Sequence, residues 1–154
     1  MQHANGFRLD DVSKRIIEHL QEDGRRSYSE IARQIGLSEA AVRQRTQRLV
    51  DAGVIQITAV TDPLQLGFAR QAMIGIKVDG DLQRVAEELA AIDEVDYVLI
   101  TTGRFDLLAE AIAADDDEYL DLLTNRVRGI EGVAATETFM YLKLVKQSYK
   151  WGTR

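Results

Sequence analysis

Apolar positions in the first third of the chain recur at helical spacing and predict three short helices. The predicted helices cover 9–22, 28–35 and 39–52, and the last two are joined by a four-residue turn over 36–39. Ser27 with Glu30 forms a capping pattern before the second helix, and Ser38 is in position to cap the third. Three helices with this turn predict a helix-turn-helix. The inward positions are Leu9, Val12, Ile16 and Leu20, then Ile31 and Ile35, then Val42, Thr46 and Leu49.

The helices are followed by a β-branched, partly alternating segment over 54–60, which predicts the short strands of a wing. The only proline of the sequence, Pro63, comes directly after it and marks a domain boundary. We therefore expect a winged helix-turn-helix domain over 1–61, a linker over 62–70 and a second domain over 71–154.

The second domain carries a faint internal repeat of strand, helix and strand. Strands are predicted over 73–78, 97–100, 107–113 and 136–142, and helices begin at Asp81 and Asp115. Two such units in tandem give a βαββαβ order, which predicts a ferredoxin-like sheet and an α+β fold class overall. Helices cover one face of such a sheet, so the other face needs a cover, and we expect a partner subunit there. The expected open-face residues are Met73, Leu99 or Ile100, Leu108 and Met140.

Charge is distributed unevenly along the chain. The net charge is −6, yet residues 24–50 hold six arginines and only two acids, whereas residues 62–154 hold ten basic and seventeen acidic side chains. Because polyanion binding depends on a local patch, this basic segment favours double-stranded DNA as a partner. The sequence has no cysteine and no apolar run long enough for a membrane helix, and its first residues show no basic segment followed by an apolar run, so we expect no signal peptide. We expect a cytoplasmic protein with no membrane partner.

The outer face of the third predicted helix has side chains that can read bases. Arginine can bond guanine and glutamine can bond adenine in the major groove. Arginines before and within the second helix are placed to contact phosphates. A solvated helix face with ordinary arginines is the alternative, but the capped helices, turn and wing together favour DNA binding. The candidate DNA-binding residues are Arg25, Arg26, Arg33, Ser38, Glu39, Ala40, Arg43, Gln44, Gln47 and Arg48.

Two interpretations of Arg45 stay open from the sequence. It lies near the core-side edge of the third helix, between Val42 and Leu49. It either contacts a phosphate or pairs with an acid such as Glu30 or Asp51.

A polar cluster lies at the turn between the two halves of the second domain, at Thr101, Gly103 and Asp106. A hairpin alone accounts for the glycine and the aspartate; the alternative is a polar edge that holds an amino group or a carboxylate. The acid run over 115–118 is explained by a helix start. We find no Cys/His nucleophile pair, glycine-rich phosphate loop or histidine cluster, so we expect no catalysis, no metal site and no cofactor.

The ordered combination of these segments resembles the leucine-responsive/asparagine-activator (Lrp/AsnC) regulators of transcription. In the first domain the resemblance rests on Leu9-Asp10-Asp11, Ile31-Ala32, Gly36-Leu37-Ser38, Val42, Arg45, Arg48-Leu49 and Gly53-Val54-Ile55. In the second it rests on Thr102-Gly103-Arg104-Phe105-Asp106, Gly132-Val133 and Thr136-Glu137-Thr138. It extends over residues 7–149.

The resemblance implies a sequence-specific regulator whose ferredoxin-like domain, called RAM in the family, forms dimers that assemble further, often into octamers. It also implies an amino acid or related metabolite as effector, with Asp106 contacting its α-amino group and Arg104, Asp116 and Met140 as candidates for side-chain specificity. An architectural DNA-binding protein without an effector is the alternative, and a metabolic enzyme is more remote. The effector residues implied by matching position are Leu99, Thr101, Gly103, Arg104, Asp106, Thr136, Thr138 and Met140.

Overall fold

A computed structural model describes residues 9–154, which divide into two compact units. The first unit ends at Val60 but also contains Lys146–Arg154, and the second spans Thr61–Val145. The domain predicted to begin at residue 1 therefore has its first eight positions outside the described residues. Between residues 9 and 154, no helix has both the length and the apolar character needed to cross a membrane.

Three helices, α1 (Asp11–Glu22), α2 (Tyr28–Ile35) and α3 (Glu39–Asp51), build the first unit. A polar side chain before each helix accepts a hydrogen bond from a free backbone amide, which stabilises the helix start. Gly36 ends α2 in the left-handed conformation, with φ of +75°, as glycine does without steric cost. The helix-turn-helix is confirmed. The capping distances are 2.7 Å from Asp10 to the Ser13 amide, 3.2 Å from Ser27 to Glu30 and 3.2 Å from Ser38 to Ala41.

One apolar core holds these helices together. Ile16 of α1, Ile31 of α2, and Val42 and Leu49 of α3 are fully buried. All four are among the inward positions predicted from the helical spacing, and the outward face of α3 follows from the same pattern.

The predicted wing strands are wrong for the chain as described. Residues 55–60 adopt no regular structure, and the side chains of Ile57 and Val60 are 49% and 58% exposed. A strand needs a hydrogen-bonding neighbour, and none of the described residues of the first unit forms a second strand. A β-branched composition alone is therefore not sufficient to form a strand in this segment.

The second unit is an antiparallel four-stranded sheet with helices on one face. The strands β1 (Arg70–Val78), β2 (Val95–Ile100), β3 (Leu107–Ala113) and β4 (Val133–Met140) lie in the order β2-β3-β1-β4. A short 3-10 turn, Pro63–Leu66, precedes the sheet, and the helix α4 (Leu82–Ala90) joins β1 to β2. The helix α5 (Asp116–Asp121) continues as a π-helical segment, Leu122–Val127. The ferredoxin-like βαββαβ prediction is confirmed.

The strand register decides which residues face the helices. Ile74 and Ile76 of β1 and Leu107 of β3 are fully buried against Leu89 of α4 and Val127. Directly paired residues of an antiparallel sheet share a face.

The opposite, open face carries Met73, Leu99 and Leu108, as predicted. Met73 pairs with Phe139, so the residue of β4 on this face is Phe139. Met140 pairs with the buried Ala72 and belongs to the helix face, contrary to the prediction. Side chains of a strand alternate between the two faces of the sheet, so an error of one residue in the alternation places each side chain on the wrong face.

Candidate functional site

The outward face of α3 is exposed to solvent, as predicted from the sequence. Its inner positions Val42, Thr46 and Leu49 are buried, which directs the rest of the helix away from the core. Ser38 caps the helix start, where backbone amides also attract anions. All the predicted positions on this face are exposed, namely Ser38, Glu39, Ala40, Arg43, Gln44, Gln47 and Arg48.

Arg43 has the best-defined surroundings among the candidate base-reading residues on this face. Its Nη2 lies 2.7 Å from Glu39 Oε1, one helical turn earlier, and its guanidinium lies 5.2 Å from the centre of the Tyr28 ring. The side chain is nevertheless 64% exposed. These weak surface contacts hold the guanidinium at the helix face while leaving it accessible to a base edge. Gln47 is likewise held by Asp51, at 2.8 Å.

The arginines expected to meet phosphates differ in their surroundings. Arg25 and Arg33 are exposed. Arg26 is only 18% exposed, because its Nη1 lies 3.1 Å from Glu22 Oε2 and 2.7 Å from His19 Nδ1. Arg26 therefore connects α1 to the segment before α2, and a phosphate contact would compete with these partners.

Arg45 has the structural role that the sequence left open, but with a different acid. Its Nη1 lies 2.7 Å from Asp10 Oδ2, at the start of α1, and 3.4 Å from Ser13 Oγ. Hydrogen bonds from Ser13 and from Arg45 lower the pKa of Asp10 to about 2. The suggested partners Glu30 and Asp51 were wrong, because α1 packs against α3 and brings the cap of α1 to Arg45.

The turn between β2 and β3 is closed by its own polar groups. The Thr101 amide donates to the Asp106 carbonyl at 2.9 Å, and Thr101 Oγ1 donates to the Phe105 carbonyl at 2.7 Å. Gly103 has φ of +126°, which L side chains rarely adopt. The backbone of the turn is therefore fixed by hydrogen bonds within the turn itself.

Asp106 ties this turn to the end of β1. Its Oδ1 accepts from Lys77 Nζ at 3.0 Å, and its Oδ2 accepts from the Val78 amide at 2.9 Å. The Val78 hydrogen bond and then the Lys77 hydrogen bond hold the pKa of Asp106 below its usual value, so the carboxylate is ionised at neutral pH. Its side chain is 32% exposed.

The remaining predicted effector residues fall on two faces of the sheet. Leu99 lies on the open face, as does Phe105, whose ring covers Gly75. Arg104 lies over that ring and binds Glu137 at 2.9 Å.

Thr136 and Thr138 lie instead on the helix face of β4, together with Met140. Thr138 accepts from Tyr119 at 3.2 Å, and Thr136 accepts from Arg128 at 2.8 Å, beside an open pocket that Arg128 lines. Within one chain the turn and these β4 residues are therefore not brought together. Asp116, a candidate for effector specificity, accepts hydrogen bonds from Arg70 Nε at 2.5 Å and from Arg70 Nη2 at 2.9 Å. The sequence gives no reason to single out Arg128, since an arginine after a helix carries no signal of a pocket.

Comparisons with known proteins agree with both units. Residues 9–50 match the AsnC-type helix-turn-helix domain, and residues 71–151 match the Lrp/AsnC ligand binding domain. An HTH-type transcriptional regulator of Pyrococcus furiosus is 38% identical over 143 residues, which cover 92% of this chain and 97% of that protein.

Two solved structures of regulators are similar along most of their length. The AsnC protein of Escherichia coli has a TM-score of 0.79 at 26% identity, covering 92% of this chain and 97% of that one. A transcriptional regulator of Neisseria meningitidis in complex with L-Met has a TM-score of 0.80 at 25% identity, covering 93% and 96%. Helix-turn-helix, sheet and relatives agree, and this chain belongs to the Lrp/AsnC family of DNA-binding transcriptional regulators, which are not enzymes.

Proposed function

We propose that this regulator binds operator DNA through α3 and that an amino acid or a related metabolite modulates its assembly or its DNA affinity. We further propose that it acts in the cytoplasm as a homodimer that assembles into a higher oligomer, an octamer by family resemblance. The main support for DNA binding is the exposed face of α3, which carries arginine and glutamine side chains. The opposite face of the same helix is buried in the core of the first unit.

The proposed effector site is centred on the turn over 101–106. Asp106 supplies an ionised carboxylate that can accept a hydrogen bond from an α-ammonium group, and each of its oxygens retains a lone pair. Arg104 at the same turn can receive a carboxylate. The L-Met complex of the Neisseria regulator supports an amino acid as the class of ligand. Leu99, Thr136, Thr138 and Met140 stay proposed members of the site.

The proposed assembly rests on the open face of the sheet. Met73, Leu99, Leu108 and Phe139 form an apolar surface there, and Phe139 is 46% exposed. A second copy of the sheet would remove this surface from water by an isologous contact. Two RAM domains joined in this way form the proposed dimer.

The experiment for the effector compares Asp106→Asn with Lys77→Met. Asparagine can still accept the Val78 amide but carries no charge, whereas the Lys77 variant keeps the carboxylate. After a thermal-shift screen of the twenty amino acids, calorimetry with the best ligand should show binding at least about tenfold weaker in Asp106→Asn. The Lys77 variant should retain binding. Equal affinity in Asp106→Asn and the unaltered protein would contradict the assignment.

An architectural DNA-binding role without an effector is the second candidate. It is favoured by the fact that Lys77 and Val78 already occupy both Asp106 oxygens. If no amino acid shifts the melting temperature and specific DNA binding persists, this second function is the better one.

A further inference from the structure

We propose that residues 146–154, called the strap below, dock on α1 of their own chain and form a working part of the DNA-binding unit. There the strap offsets the repulsion between the α1 carboxylates and the DNA backbone. The inference rests on the DNA interface proposed above and assigns a role to a segment outside the helix-turn-helix. The strap clusters with the first unit although it follows the sheet in sequence.

Three hydrogen bonds attach the strap to one face of α1. Lys150 Nζ lies 3.0 Å from Glu22 Oε1, the Gly152 amide donates to Gln21 Oε1 at 3.0 Å, and Thr153 Oγ1 donates to Glu18 Oε1 at 2.5 Å. Positions 18, 21 and 22 are three and four residues apart, so their side chains are neighbours on the helix surface. The strap therefore follows a row of α1 acceptors in order.

Glu22 couples the strap to the segment before α2. Its second carboxylate oxygen accepts from Arg26 Nη1 at 3.1 Å, next to the exposed Arg25. The hydrogen bond from Lys150, and then that from Arg26, keep the pKa of Glu22 below its ordinary value. One carboxylate thus binds both the strap and an arginine beside the proposed phosphate contacts.

Charge explains what the strap contributes. Residues 9–60 contain eight basic and eight acidic side chains, so the helices alone are neutral. The strap adds Lys146, Lys150 and Arg154 and no acid. The three cations of the strap add to the attraction that the basic segment over 24–50 already exerts on phosphates, over about a Debye length, roughly 8 Å at physiological salt. Within the strap, Lys150 also offsets the negative charge of Glu22, with which it forms an ion pair at 3.0 Å.

The position of the strap is tested by cross-linking, without DNA. The chain has no cysteine, so Gln21→Cys with Trp151→Cys introduces the only two thiols and leaves the Lys150 and Thr153 contacts in place. A short bismaleimide should close an internal link that leaves the mass of one chain, whereas Gln21→Cys with Lys143→Cys should react far less. Links that appear only as covalent dimers would assign the strap to a second copy and overturn the proposal, as would equal yields in both pairs.

The charge effect is tested on a random-sequence duplex by fluorescence anisotropy of the full chain. Lys150→Ala should weaken binding about two- to fivefold at low salt, the range of a surface ion pair. The matched control Lys143→Ala, which removes the same charge from the second unit, should change binding less. Glu22→Gln added to Lys150→Ala should restore affinity, because it removes the uncovered carboxylate.

Equal losses in the two lysine variants, or no rescue by Glu22→Gln, would overturn the charge role. If the unaltered protein bound no DNA, the proposed function would fail instead, and the cross-link would still report the docking of the strap.

Discussion

Arg43→Ala is expected to reduce the preference for operator DNA over random DNA while changing the stability of the protein little. In the free protein Arg43 contributes an exposed ion pair with Glu39 and a contact with the Tyr28 ring. These are worth about 0.2–1 kcal/mol and about 0.5–1 kcal/mol. The free energy of unfolding should therefore fall by no more than about 2 kcal/mol.

The loss in binding is larger than one phosphate contact would give. A bidentate arginine–guanine pair discriminates by about 1–3 kcal/mol. Arg43 must leave Glu39 and Tyr28 to reach a base, so we expect the lower part of that range. That part, about 1–2 kcal/mol, corresponds to a 5- to 30-fold weaker operator complex.

The assay is anisotropy on operator and random duplexes across a salt series. Arg43→Lys keeps the positive charge but loses the paired donors of the guanidinium. It should therefore lower the affinity for operator DNA and leave the affinity for random DNA unchanged. Arg25→Ala serves as the contrasting variant. It should weaken both duplexes alike and reduce the salt slope by about 0.9. If Arg43→Ala weakened both duplexes equally, or left the operator preference intact, Arg43 would not read a base.

Three further predictions concern the fold. Thr46→Val should raise the free energy of unfolding by about 1 kcal/mol in a urea titration, because Thr46 Oγ1 is buried with no hydrogen-bond partner among the described residues; the exposed Thr124→Val should have no such effect. Gly75→Ala should destabilise the sheet by about 1–3 kcal/mol, since its Cβ would lie 2.6 Å from Phe105 Cδ2, and Phe105→Leu should recover part of the loss. Asp10 has its pKa lowered from 3.8 to about 2, so its stabilising effect is complete above pH 3.8 and is lost as the pH falls toward 2. Thermal unfolding of Asp10→Asn should accordingly show a flatter dependence on pH in that window.

The helices and the sheet order could be predicted from the sequence because their signals are local. Capping residues such as Ser38 and a period of 3.6 in the apolar positions lie within one helix. Two strand–helix–strand units then leave few topologies. The exposed face of α3 followed from the same period, without any knowledge of tertiary contacts.

The wrong predictions concern features that depend on contacts between residues far apart in the sequence. The wing segment is β-branched, but strand formation depends on a partner that its own residues do not specify. Met140 lies on the face opposite to the predicted one, because the pairing of β4 with β1 shifts at Lys77/Val78 and the sequence does not reveal this shift. Arg45 meets Asp10, 35 positions away, and Asp106 meets Lys77, 29 positions away. Residue type identified these side chains as important, but not the groups that they bind.

The most direct test of the regulator is anisotropy on the DNA upstream of its own gene, with random DNA as competitor, with and without a mixture of the twenty amino acids. We expect binding that survives the competitor, weakens with salt and changes when the mixture is added. Splitting the mixture should then identify one ligand. Specific binding that ignores every amino acid would contradict the effector proposal. If random DNA displaced the protein completely from the upstream DNA, sequence-specific recognition at that site would be contradicted.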